Sequence, residues 1–130
     1  MRKDAENFVI SAEYDIGTAE HMLKTGRYIY VVFMCHLALE KMLKAIAVEV
    51  TNKPAPKTHN LLYVTKLAEI RFPDKHLEFV SKINNASIIT RYPEDFSKLI
   101  EVYPVDIVTS YLQSTKDVIT WLKQSEKLKT

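Results

Sequence analysis

Residues 28–51 form an uninterrupted run without glycine or proline, and their pattern restricts the fold more than any other stretch. Tyr28, Val32, Cys35, Leu39, Met42, Ile46 and Val50 recur at helical steps and make one apolar stripe. Val31, Met34, Ala38 and Ala45 add a second stripe beside it, while Phe33, Leu37 and Val48 populate the far side. Only Glu40, Lys41, Lys44 and Glu49 leave a narrow polar arc. A helix apolar nearly all round sits at the centre of a bundle or beneath a partner. In a chain of 130 residues a second subunit is the natural cover, so a homodimer is expected.

The flanking segments supply the rest of a bundle. Residues 4–24 carry Ala5, Phe8, Val9, Ala12, Ile16, Ala19 and Leu23 on one face, with Asp4 as N-cap and Gly26 just beyond the end. Ile10, Tyr14 and His21 share the opposite face. Pro54 and Pro56 push their predecessors out of the helical region, which makes residues 52–57 a loop. Thr58 or Asn60 caps a third helix with Leu61, Leu62, Val64, Leu67, Ala68 and Ile70, ended by Pro73. Asp74 opens a fourth, to about Thr90, with Phe79, Val80, Ile83 and Ser87 inward. An irregular stretch follows, and Pro104 begins the last helix at a position where proline is tolerated. Its inward residues are Val105, Val108, Tyr111, Leu112, Thr115, Val118, Ile119 and Leu122. The expected architecture is all-α, an antiparallel up-and-down bundle of four to five helices forming one domain over residues 1–130.

Several function classes drop out. A formal net charge of +2, with four arginines among 18 basic residues, gives no DNA-binding surface. Two glycines nine residues apart cannot build a phosphate loop, so a nucleotide would be held by side chains or helix ends. His21, His36, His59 and His76 are widely spaced, with no Cys-x-x-Cys, His-x-x-x-His or Glu-x-x-His, and no metal or cofactor is expected. Cys35 stands alone within an apolar stretch and reads as a buried, reduced thiol. No signal-peptide pattern opens the chain and no stretch has membrane-spanning length, so a cytoplasmic location is expected.

The stretch His36-Leu37-Ala38-Leu39-Glu40-Lys41-Met42-Leu43-Lys44-Ala45 holds a Glu40–Lys44 pair at i, i+4, which by itself reads as a solvated surface pair. Together with Thr58-His59-Asn60-Leu61 and Arg91-Tyr92-Pro93 downstream, it resembles the HEPN family, named for its occurrence in higher eukaryotes and prokaryotes and for nucleotide binding. The order and spacing of these segments carry the resemblance over nearly the whole chain. It implies a dimerising helical bundle. It also implies one of two roles: partner of a minimal nucleotidyltransferase, or a metal-independent, often toxin-type, ribonuclease using an Arg followed four to six residues later by a His.

Arg91 stands where that Arg is expected, yet no histidine follows it. A metal-independent ribonuclease needs a group near neutral pKa to move the proton of the attacking 2′-hydroxyl, and arginine cannot be that base. Arg71 and His76 have the right spacing but lie one helix early, and His76 aligns with Val80, Ile83 and Ser87 on an inner face. The expectation is therefore a homodimeric binding module for a nucleotide or a nucleotidyltransferase, with a degenerate ribonuclease motif. Arg91, Tyr92, Lys44 and His59 are its phosphate- or nucleotide-binding candidates. The alternative is RNA cleavage by Arg71 with His76, or by Arg91 with a histidine from a second copy. Tyr28, Tyr30, Tyr92 and Tyr103 are candidates for stacking on a base, set against ordinary packing at boundaries.

Overall fold

A computed structural model describes residues 1–128 and shows six α-helices: α1 (Lys3–Lys24), α2 (Tyr28–Thr51), α3 (Leu61–Leu67), α4 (Asp74–Arg91), α5 (Phe96–Val102) and α6 (Val105–Lys123). A 3₁₀ turn at Glu126–Leu128 follows, and no strand occurs among the described residues. The last two positions of the expected 1–130 domain lie outside them.

The organising element is α2. Helices α1, α3, α4, α5 and α6 all pack on it, so its all-round apolarity is satisfied inside one chain. Val31, Val32, Cys35, Leu39, Met42, Leu43 and Ile46 are wholly buried. Covering α2 therefore does not require a second copy. The apolar excess lies elsewhere, in the run Ile88, Ile89, Tyr92, Phe96, Ile100, Val102, Val105 and Ile107, all exposed.

Helix α1 lies along α2 through Ala5, Ala12 and Ala19, whose small side chains let the two axes approach. Lys41 reaches across from α2 to Asp15 at 2.8 Å and to the Ser11 hydroxyl at 2.7 Å. Helix α6 buries Val108, Tyr111, Leu112, Thr115, Val118, Ile119 and Leu122, as its periodicity requires.

Four local expectations are corrected. Helix α1 starts before Asp4, which lies in its first turn and pairs with Arg2 rather than serving as N-cap. Helix α3 stops at Leu67, well short of Pro73, because Glu69 turns the chain with φ 54. Lys127 holds that end by donating to the carbonyl oxygens of Ala68 and Glu69. The stretch after Pro93 contains α5, capped by the Asp95 carboxylate accepting from the Lys98 amide at 3.2 Å. Val105, expected inward, is exposed on the first turn of α6.

Candidate functional site

Three elements bring the chemically capable residues together. On α2, His36, Glu40 and Lys44 repeat at four-residue steps and so stack on one face. The Glu40–Lys44 pair, read from sequence as solvated, is buried: Glu40 is 5% exposed and Lys44 8%. Lys44 Nζ donates to Glu40 Oε2 at 3.1 Å. The other carboxylate oxygen, Oε1, meets His59 Nδ1 at 2.8 Å. A carboxylate this deep is tolerable because both oxygens are engaged.

The proline-containing loop delivers His59 to that carboxylate, and Asn60 then starts α3. Its side-chain oxygen accepts from the Leu62 and Tyr63 amides at 3.1 and 3.2 Å, an N-cap as expected. Asn84 on α4 ties this corner down by accepting from the Leu61 amide at 2.8 Å. With Nδ1 committed to Glu40, Nε2 is the free nitrogen of the exposed His59 ring.

Helix α4 supplies the third wall. Asn84, Ser87, Ile88 and Arg91 fall at i, i+3, i+4 and i+7, and with His59, Asn60 and Tyr92 they line a cavity of about 260 Å³. The Arg91 guanidinium lies over the Phe33 ring, 4.6 Å from its centroid. Its Nε and Nη2 are buried without an acceptor among the described residues. The arginine therefore does not reach back to cap the last carbonyls of α4. Tyr92, 80% exposed, ends the helix at the cavity rim.

Beneath lies His36, wholly buried, with neither ring nitrogen in hydrogen-bonding geometry to any described residue. Burial pulls its pKa down to about 4. The Glu40 carboxylate opposes that fall, and Arg91 adds to it. His36 is thus a neutral ring at physiological pH, set between a carboxylate and a guanidinium.

Of the residues singled out from sequence, the fold gathers Arg91, Tyr92 and His59 around one cavity and puts Lys44 behind it through Glu40. Arg71 and His76 do not line it. Arg71 is exposed in the loop before α4, and His76 packs against Trp121 with ring centroids 5.8 Å apart. Sequence reasoning placed Ser87 inward on the fourth helix and Phe33 on the far side of the second, and gave neither these nor His36 or Asn84 a place in a binding site. The four-residue ladder His36–Glu40–Lys44 was the available signal for His36. Among the described residues no three His, Cys, Asp or Glu side chains cluster as a metal site would need, and no helix is long and apolar enough to cross a membrane.

The fold is similar to that of TT1696 from Thermus thermophilus, with TM-score 0.78 and 18% identity over 98% of this chain and 100% of that one. It is also similar to ST0689, described as an archaeal HEPN homologue, with TM-score 0.74 and 16% identity over 95% and 97%. No curated protein matches the sequence. The family model of the HEPN domain matches residues 5–128, and with that match over nearly its whole length the chain belongs to the HEPN family.

Proposed function

We propose that the cavity between α2, the start of α3 and the end of α4 binds the phosphate of a nucleotide or RNA, and that this chain acts as a HEPN binding module. One observation carries the reading: Arg91 holds two donor nitrogens, Nε and Nη2, out of water without an acceptor. An orphaned buried donor costs about 1–3 kcal/mol, and an anionic oxygen is the partner that removes that cost most fully. The planar fork of arginine suits a phosphate, and stacking on Phe33 holds it in place. His59 and Asn60 add donors at the same cavity, and Tyr92 at the rim offers a ring for a base.

Titrating ATP and a short single-stranded RNA against wild type and Arg91→Ala tests this. Binding by wild type, weakened by about 1.5–3 kcal/mol in the variant with stability nearly intact, supports it. No binding of either ligand at millimolar concentration removes it and leaves a partner-protein role. The exposed apolar run from Ile88 to Ile107 adjoins the cavity through Ile88 and Tyr92, and it supports covering by a second copy or a nucleotidyltransferase. Light scattering that shows only monomer at micromolar concentration counts against the homodimer.

One further observation favours a second reading, RNA cleavage. His59 is oriented by Glu40 toward the cavity that also holds Arg91, so both groups come from one chain and not from the Arg71–His76 pair. In that reading His59 Nε2 takes the 2′-hydroxyl proton, the 2′-oxygen attacks phosphorus, and Arg91 steadies the phosphorane charge. The 5′-oxygen then leaves with a proton returned by His59. Cleavage in the presence of a chelator, lost with a 2′-deoxy substrate and with His59→Ala under conditions where that variant is saturated with RNA, supports it; intact RNA bound by wild type counts against it.

A further inference from the structure

Helix α5 buries a single residue, Leu99, against the rest of the chain. Isolated helices of seven residues are marginal in water, so one anchored by a single side chain is completed by what packs on its other faces. Between α5 and the end of α4 runs an open groove of about 450 Å³. Ile88, Ile89 and Tyr92 form one wall, and Leu99 and Val102 form the other. Ile88, Ile89 and Val102 are each more than half exposed, whereas Leu99 is buried. The exposed apolar run continues through Val105 and Ile107, more than a chain that works alone ordinarily leaves in water.

The surroundings of this groove are acidic. Glu94 and Asp95 line it where α4 connects to α5, and Glu101 and Asp106 are exposed next to Val102 and Val105 in the chain. Against these four acids the one exposed base between residues 88 and 107 is Lys98, also in the groove wall. Arg91 does not offset them, because its guanidinium lies over Phe33 with Nε and Nη2 buried. The exposed charge of this run is therefore −3, in a chain whose formal net charge is +2.

That sign decides among occupants. A second copy docked about a two-fold axis on this face would set the acidic surface against itself, which like-charge repulsion disfavours. A second copy offering a basic face from elsewhere would build an open-ended array rather than a closed pair. An anionic membrane meets the same repulsion. A segment that is apolar on one side and basic at its borders answers both the groove and the acids.

We propose that the groove between α4 and α5 docks an amphipathic helix of a different protein, apolar on one face and bordered by Lys or Arg. Its apolar residues lie against Ile88, Ile89, Leu99 and Val102, while its cations meet Glu94, Asp95 and Glu101. The inference deepens the reading of this chain as a binding module and rests on the protein-partner half of it.

The test titrates the intact, methyl-labelled protein with three peptides of about 18 residues, long enough to hold a helix. The first carries Leu at helical spacing with Lys at the borders, the second has Glu in place of every Lys, and the third scrambles the first. Ile89 and Val102 are the reporters, because both line the groove and neither lines the Arg91 cavity. The Lys peptide should give saturable shifts, the Glu peptide should bind at least about tenfold more weakly, and the scrambled one should not bind. The double variant Glu94→Lys with Glu101→Lys, at two exposed positions, should invert the preference between the first two. Ile89→Ser should weaken the Lys peptide by about tenfold or more. Arg91→Ala should leave the peptide response unchanged, so a failure of ATP and RNA to bind and a failure of this proposal appear in separate experiments. No saturable shift with the Lys peptide at millimolar concentration, or equal affinity for the Lys and Glu peptides, overturns the proposal. A doubled mass in light scattering, with Ile89 and Val102 shifting on concentration alone, gives the groove to a second copy and overturns it as well.

Discussion

Replacing His36 by leucine isolates a pH-dependent part of the folding free energy, and the structure sets its sign and size. The ring is wholly buried without a hydrogen-bond partner, and its pKa falls from an ordinary 6.5 to about 4. Above pH 6.5 the ring is neutral in both folded and unfolded chains, so it makes stability no function of pH. Between pH 6.5 and 4 the unfolded chain takes up a proton that the folded one refuses. Stability therefore falls as the solution is acidified. At about 1.4 kcal/mol per pH unit the whole interval is worth about 3 kcal/mol, a large share of a small domain's stability. Carboxylates also titrate in this range, but they are common to wild type and His36→Leu, so the difference between the two isolates the imidazole. Urea denaturation at half-unit steps from pH 7.5 to 4.5 is the assay. The wild type should lose stability faster than the variant, and the gap should open only below about pH 6.5. Parallel curves would refute the reasoning and place His36 in contact with water or a partner.

Other perturbations test the packing and the buried charges. Leu39→Ala, at a wholly buried position of α2, should cost about 2–5 kcal/mol in chemical denaturation. Lys44→Met leaves the Glu40 carboxylate with His59 alone and should cost about 3–5 kcal/mol, whereas a solvated pair would have lost well under 1 kcal/mol. Burial pushes the Cys35 thiol up to about 12, so native protein at pH 8 should resist a thiol-specific reagent and react only after unfolding. Rapid native labelling would show that α2 opens or that the thiol is accessible.

The main helices could be read from sequence because each advertises its inward face. Val108, Leu112, Thr115, Ile119 and Leu122 are spaced for one face, and α6 buries that face. Residues 28–51 contain nothing that breaks a helix, and α2 has those limits. Short elements were less legible. Helix α5 offers a single buried residue, Leu99, too little for a period to show, and α3 ends by a left-handed Glu69 that no sequence rule requires. The site was legible one residue at a time, through Arg91, Tyr92, His59 and Lys44, but not as an arrangement. That the Glu40 carboxylate meets His59, 19 residues away in the chain, is a long-range contact invisible to helical periodicity. The homodimer was argued from α2, whose apolar faces the chain covers by itself, because the sequence does not say which helices α6 will meet.

The central position of α2 also shapes how the chain reaches its fold. Helices α1 and α2 are neighbours in sequence and form the most extensive packing in the molecule, so their hairpin closes over a short loop at small entropic cost. Part of the surface of α2 waits for α6, whose residues begin more than fifty positions after α2 ends. During synthesis the hairpin therefore emerges with α2 lacking the cover of the later helices, a state prone to self-association. Pulsed hydrogen exchange should find α1 and α2 protected first and α6 last. Simultaneous protection would mean that the hairpin has no life of its own. If the order holds, the yield of this protein depends on how quickly α6 docks, and substitutions such as Leu122→Ala would harm production more than their equilibrium cost suggests.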